Sequence, residues 1–376
     1  MKDDQTLNTL RIFVKVVNVF NGTPYEWDKK EKCLRLSSNL KKRICVSLAK
    51  WNIWIYLAYL IVCLAGEILG AGHVDFVVVI WLLIWILYYV WSAISFRNAQ
   101  VSCSIVTALF KGMKTLFAEM AAKYPQQFSN KPAFLTYNIL QMQIMAVLWI
   151  LASLVVAFSS MFLVIPLKPQ YISSQFEKGI QNPLVFAGFI LLEIYSKAST
   201  GLVSGTDALH ILVPINCNSS IRHKIHDFRT LNVLVASFNH SVTKELLSFL
   251  CYWGPGGFVL IAGFATIRFH GEVNIFEYAP FPLAVLNCSI VLFLVLFSTS
   301  TVGKVSEKLL NSINQQSPMS GRRKTILRQM KSLKTFGVEA GSIKVIERIV
   351  ILKILYVISD ILTTCLVTFP KEAVFS

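Results

Sequence analysis

The stretch RQMKSLKTFGVEAGSIKVIERIVILKILYVISDILTTCLVTF, Arg328 to Phe369, decides how this chain folds. A basic amphipathic segment leads to a break at Gly341-Ser342, and one long apolar run follows. Glu347 to Phe369 is about 23 residues, enough to cross a hydrocarbon core of about 30 Å at about 1.5 Å per residue. A span facing lipid all round has no use for Lys353, Asp360, Thr363, Thr364 and Thr368. At about 100° per residue, Lys353, Val357, Asp360, Thr364 and Val367 fall within roughly 40° of one line. Leu355, Ile358, Ile361, Leu362, Cys365, Leu366 and Phe369 take the opposite side. Ionisable groups in a membrane cost about 2.5–3.5 kcal/mol on insertion scales, and they face water or a bundle interior. Two readings of the polar face follow: a water-lined surface, or a set of structural partners for other helices.

The rest of the chain matches that run. Its 376 residues have a mean hydropathy of +0.58, with 55% hydrophobic and 15% charged residues, against about 25% charged in soluble domains. The fold class is an all-α membrane protein with seven transmembrane helices. The spans are read at Trp51–Leu69, Val74–Phe96, Asn138–Ile165, about Pro183–Leu202, about Leu246–Ile267, Phe281–Val302 and Glu347–Phe369. Residues 1–50 form an N-terminal segment, in which Leu7 to Phe20 suits a helix on the membrane surface. Residues 51–302 hold spans one to six with helical loops at 97–137 and 203–245. Residues 303–346 form a basic, helix-prone region, and 347–369 the last span.

Charge orients these spans. The first 50 residues carry 11 Lys and Arg, and the segments after spans two, four and six carry 5, 4 and 9. One face thus holds 29 of the 36 basic residues and the other face 4. The N-terminus is expected in the cytoplasm and the C-terminus outside. The net charge of +16 then lies at the inner membrane face and needs no nucleic acid to explain it. The sequons at Asn21, Asn218 and Asn239 fall on that side and stay unglycosylated. The first 50 residues lack the apolar core and small-residue site of a cleavable signal peptide. No cysteine falls in an outer loop, so no disulfide framework is expected.

Motifs for chemistry are few. His223, His226, Asp227 and His240 sit among basic residues, which disfavours a metal. No cofactor and no enzyme activity are expected, because no nucleophile–base pair or phosphate-binding fingerprint stands out. Gly254-Pro255-Gly256-Gly257 reads as a helix break inside span five. Pro166–Asn182 reads as a short polar outer loop. Glu193 and Lys197, at i and i+4, suit a salt bridge on one helix. Trp81 and Trp85 lie deep in span two, one turn apart, and suit an apolar pocket or plain helix packing.

Lys331-Ser332-Leu333-Lys334, Gly341-Ser342-Ile343 and a last span ending Thr368-Phe369 resemble the C-terminal signature of the arthropod gustatory and odorant receptors. Chain length and inverted seven-span topology agree. Gustatory members carry Thr-Tyr, five apolar residues and Gln-Phe. Here Ile361-Leu362 stand in place of Thr-Tyr and Thr368 in place of Gln, which leaves taste and smell both open. The resemblance implies a ligand-gated, non-selective cation channel in the plasma membrane of a sensory neuron. It implies four subunits, alike or mixed with related receptors, around a pore lined by the last span. The polar face, Lys353, Val357, Asp360, Thr364 and Val367, becomes the pore face, and Arg322–Lys344 becomes anchor helices. A tastant or odorant, a small organic molecule, would bind in the outer half among spans two to six. Trp81, Trp85, Phe158, Phe186, Phe189 and Asn287 are the candidate lining, since aromatic walls with few polar groups suit such ligands. A G-protein-coupled receptor and a secondary transporter using Asp360, Glu193 and Lys197 remain the alternatives.

Overall fold

The computed structural model describes residues 2–19, 23–70, 74–101, 103–123, 133–176, 181–210, 221–240, 254–315, 332–339 and 346–372. Helices dominate. The first, α1 (Lys2–Val19), buries Leu10, Phe13, Val14 and Val17, the i, i+3, i+4, i+7 stripe of an amphipathic helix. It covers the surface helix read from the sequence and begins earlier. A hairpin that the sequence reading did not foresee follows. Strands β1 (Tyr25–Asp28) and β2 (Cys33–Leu36) pair antiparallel, with Tyr25 opposite Leu36 and Asp28 opposite Cys33. The Asp28 carboxylate accepts the N–H groups of Lys30 (2.8 Å) and Glu31 (3.1 Å). Those bonds, Glu31 first, hold its pKa below the ordinary carboxylate value.

The apolar helices are α2 (Leu40–Leu69), α3 (Phe76–Val101), α5 (Ala133–Val164), α6 (Pro183–His210), α8 (Gly254–Arg268), α9 (Pro280–Gln315) and α10 (Arg348–Thr368). Between them lie α4 (Cys103–Lys123) and α7 (Ile221–Phe238). Side chains start several of them: Asn39 accepts Lys41 N, Asp75 accepts Val77 N and Val78 N, and Asn182 accepts Leu184 N. Among the described residues, five helical stretches are long and apolar enough to cross a membrane: Leu40–Leu69, Phe76–Val101, Pro183–Gly201, Ile275–Gln315 and Ile349–Thr368. Leu148–Val164 in α5 is a shorter apolar stretch.

The centre of the core is α3, which packs on α2, α6 and α8. Helix α8 in turn packs on α9 and α10. Gly254-Pro255-Gly256-Gly257, read from the sequence as a break inside span five, forms the first described turn of this helix; residues 241–253 lie outside the described residues. Pro255 is tolerated there because a first turn needs no donor, and the glycines permit close approach. A methyl on Gly257 would stand 3.1 Å from Leu87 of α3, and one on Gly256 would stand 3.5 Å from Ile358 of α10.

The basic region 303–346 matches expectation only in part: residues 303–315 continue α9 as helix, whereas residues 332–339 are extended chain with a turn. Phe336 and Val338 are buried, and Phe336 meets Phe228 of α7 at 4.9 Å. Ser306 donates to Phe336 O (2.6 Å), and Asn239 donates to Gly337 O (2.9 Å). Backbone groups of this segment are thus satisfied by side chains of α9 and the end of α7, so no helical ladder is needed. Gly341, Ser342, Lys331 and most of the Arg322–Lys344 stretch lie outside the described residues.

Candidate ligand site and pore face

Seven aromatic residues punctuate α3, and a period of 3.6 gathers four of them into one wall. Trp81 stacks on Phe281 of α9 with centroids 4.4 Å apart. Trp85 lies 4.4 Å from Phe158 of α5. Tyr89 stacks on Tyr56 of α2 at 5.3 Å, and Tyr88 stands edge-on to Phe258 of α8 at 6.4 Å. Five helices thus meet at one aromatic cluster. Trp81 and Trp85 are 1% and 0% exposed.

An ion pair lies inside this wall. Lys197 Nζ is 2.5 Å from Glu193 Oε2, with both side chains 3% exposed. The i, i+4 pairing was legible in the sequence; the surroundings were not. Tyr56 donates to Glu193 Oε1 (2.9 Å), and Tyr88 donates to the Lys197 carbonyl (2.8 Å). Tyr89 and Ser196 hydroxyls lie 2.7 Å apart. The ammonium also stands 4.2 Å from the Trp85 ring centroid and 5.4 Å from that of Tyr171. Ring faces carry negative quadrupole charge and share in stabilising it. Burying two charges costs several kcal/mol each, so such a pair persists only with this full set of contacts.

The described part of the loop expected to be short, polar and outer, residues 166–176, is largely buried instead. Gln170, Tyr171 and Ser173 are all buried. Tyr59 of α2 donates to the carbonyls of Pro169 and Tyr171, each at 2.8 Å. Lys168 pairs with Glu277 at 2.8 Å, tying the loop to the helical turn Ile275–Tyr278. Tyr171 meets Phe162 edge-on at 4.8 Å. Burial, with Glu193 second, raises the pKa of the Tyr171 phenol, which therefore stays neutral.

The candidate lining residues are not equally placed. Trp85 and Phe158 touch directly, and Trp81 belongs to the same wall of α3. Phe186 joins the outer edge by stacking on Phe162 at 6.0 Å. Phe189 stacks on Phe176 at 5.8 Å, away from the tryptophans. Asn287 is buried and donates to Ser153 Oγ (3.0 Å), joining α9 to α5. Tyr56, Tyr89, Tyr171 and Phe281 were missed, because only their neighbours in space distinguish them.

The polar face of α10 points away from the rest of the chain. Lys353, Val357, Asp360, Thr364 and Val367 are all exposed. Thr364 donates back to the Asp360 carbonyl (2.9 Å) and Thr368 to that of Thr364 (2.8 Å), the usual resting place for a helical hydroxyl. Ile354, Ile358, Leu362, Cys365 and Leu366 pack on the core; Leu355 and Ile361, read on the same side, lie on its exposed flanks. The C-terminal end is held firmly. Phe369 lies between Phe76 (6.0 Å) and Phe264 (6.3 Å), Arg268 donates to the Leu366 carbonyl, and Lys371 meets Glu272 at 2.5 Å. Asp360 has no ion-pair partner among the described residues, and Lys197 is committed to Glu193. No group of side chains suited to a metal occurs among the described residues, and His223 and Asp227 fall among side chains not described.

No protein-family model matches the chain, and no curated protein sequence matches it. A solved structure does. The insect olfactory receptor OR5 from Machilis hrabei superposes with a TM-score of 0.58 over 96% of this chain and 99% of its own, at 9% sequence identity. At that identity the likeness is one of fold, and it runs the length of both chains.

Proposed function

We propose that this chain is a subunit of a chemosensory channel, gated by small organic ligands and permeable to cations. The observation that carries the reading is α10, which packs its apolar face on its own subunit and exposes a polar face along its whole length. Four copies around an axis would turn Lys353, Asp360 and Thr364 into rings. Carboxylate rings attract cations and repel anions. Four close carboxylates raise one another's pKa, so the ring is only partly ionised. The lysine ring, about 10 Å further in, reaches for the cytoplasmic interface. Val367 narrows the outer part, where dewetting closes the path. The fold shared with an insect olfactory receptor supports the same reading, as do the seven-span pattern and the charge asymmetry.

The aromatic cluster is the ligand site of this proposal. It lies under the buried loop 166–176, and its helices α8 and α9 both pack against α10, so a ligand spreading the cluster has a short path to the pore. Whether the ligand counts as tastant or odorant follows from the tissue. The test is conductance of a bilayer containing only this purified protein. Ligand-evoked cation current supports the channel. Ligand-evoked signalling without current, with an extracellular N-terminal tag on intact cells, would point to a G-protein-coupled receptor.

A further inference from the structure

The polar groups of the aromatic cluster satisfy one another almost completely. Both Glu193 oxygens hold a donor, from Tyr56 and from Lys197. Tyr88 and Tyr89 spend their hydroxyls on Lys197 O and Ser196 Oγ. Beside the Tyr171 hydroxyl, two groups on α3 stand apart. The indole N–H groups of Trp81 and Trp85 are buried and have no partner among the described residues. Buried donors without acceptors are rare and costly, and each calls for an explanation. These two lie one turn apart on α3, in the wall where Trp85 meets Phe158 and Lys197.

We propose that the ligand recognised here is uncharged and carries a hydrogen-bond acceptor, the carbonyl of a ketone, aldehyde or ester, which takes the N–H of Trp85, Trp81 or both. This rests on the ligand-site reading above and narrows it to a chemical class. The donors supply the polarity and the rings the apolar contact. Charged ligands are excluded by the same inventory. An ammonium would sit beside Lys197 and a carboxylate beside Glu193. Each of those is already neutralised by the other at 2.5 Å, which leaves no counterion for a newcomer in low dielectric.

The test uses 2-octanone, nonane, octylamine and octanoate on the full-length channel. Trp81 and Trp85 are replaced singly by 3-benzothienylalanine, in which sulfur takes the place of the N–H at nearly constant shape. Trp91, whose N–H is also unpartnered but lies about 9 Å further along α3, is replaced in the same way as a control. The half-maximal concentration for 2-octanone should rise about three- to tenfold in at least one of the first two variants, the usual weight of one hydrogen bond. Sensitivity to nonane and the Trp91 variant should be unchanged. The two charged probes should evoke nothing in wild type. Unaltered 2-octanone sensitivity in both variants, or a wild-type preference for nonane or a charged probe, overturns the proposal. If Phe158→Ala and Trp85→Ala still move the midpoint in that case, the ligand-site reading stands and only the chemical class is wrong. If those variants also respond like wild type, the site itself lies elsewhere.

Discussion

Helices α3 and α10 are both long and apolar, and they meet opposite fates. In the most apolar window of α3, 61% of residues are buried, against 6% in that of α10. Composition cannot explain the gap; the placement of polar atoms does. On α3 the polar groups are tyrosine hydroxyls and indoles, whose rings bury well and whose tips reach partners on neighbouring helices. On α10 they are Lys353, Asp360 and Thr364, which have no partner across a helix interface. A helix whose polar groups find partners becomes the middle of the subunit. A helix whose polar groups do not leaves them on an exposed face, as α10 does.

The largest expected effect breaks that comparison through charge. Lys197→Met leaves Glu193 buried without its cation, which costs about 3–5 kcal/mol, a large share of a typical stability of about 5–15 kcal/mol. Lys353→Met removes an exposed charge on α10 and should leave folding untouched. Thermal unfolding of detergent-extracted protein compares the two. Equal midpoints would mean that the pair inside the α3 wall contributes no more than a surface charge. Adding Glu193→Gln to Lys197→Met should recover part of the loss, since a neutral amide is cheaper to bury than a lone carboxylate.

Next in size is the charge of the pore face. Asp360→Lys should abolish or invert the preference for cations, read as the reversal potential under a salt gradient. Asp360→Asn should weaken it while leaving the ligand midpoint nearly intact. If Asp360→Asn instead leaves permeation unchanged and blocks surface expression, Asp360 is a structural partner and the face it marks is not a pore.

Some of this was legible in the sequence for physical reasons. Charges inside an apolar run are conspicuous, and a fixed helical period places them, so the polar face of α10 could be drawn before any coordinates. Glu193 and Lys197 are neighbours on one helix and needed nothing else. The buried loop 166–176 was not legible. Gln170 and Ser173 are polar and sit between two spans, so they read as exposed; their burial depends on Tyr59, more than a hundred residues away. The same holds for Tyr56, Tyr89 and Phe281, ordinary aromatics until the fold brings them to Trp81 and Trp85. Gly254-Pro255-Gly256-Gly257 was legible only in part: it opens the described α8, where its glycines also let neighbouring helices approach closely.

A smaller effect belongs to the ligand wall. Trp81→Ala or Phe158→Ala should move the dose–response midpoint more than the maximal current, because both residues are remote from the exposed face of α10. Phe189→Ala should move it less, since Phe189 stacks on Phe176 and not on the tryptophans. A Phe189 effect as large as that of Phe158 would shift the site toward the loop 166–176.

The smallest expected effect sharpens the comparison at α8, the helix wedged between the two. Gly257 faces α3 and Gly263 faces α10. A methyl at Gly263 would lie 3.6 Å from Leu362 Cδ2, an ordinary contact, whereas one at Gly257 would lie 3.1 Å from Leu87 Cδ2, tight enough to require movement. Alanine improves helix propensity over glycine by roughly 0.5–1 kcal/mol. At Gly263 that gain meets no obstacle, so Gly263→Ala should raise the unfolding temperature slightly. At Gly257 it is offset, because Leu87 belongs to the tightly packed α3 and yields only by straining its rotamer. Gly257→Ala should therefore be neutral or slightly destabilising. The expected order, Gly263→Ala above wild type and Gly257→Ala at or below it, follows from one difference: α10 packs on one side only and can shift by tenths of an ångström, while α3 is packed against α2, α4, α6 and α8. The reverse order would mean that α10 is the rigidly held helix, and that the exposed face it presents is already locked by the contacts at Phe369, Arg268 and Lys371.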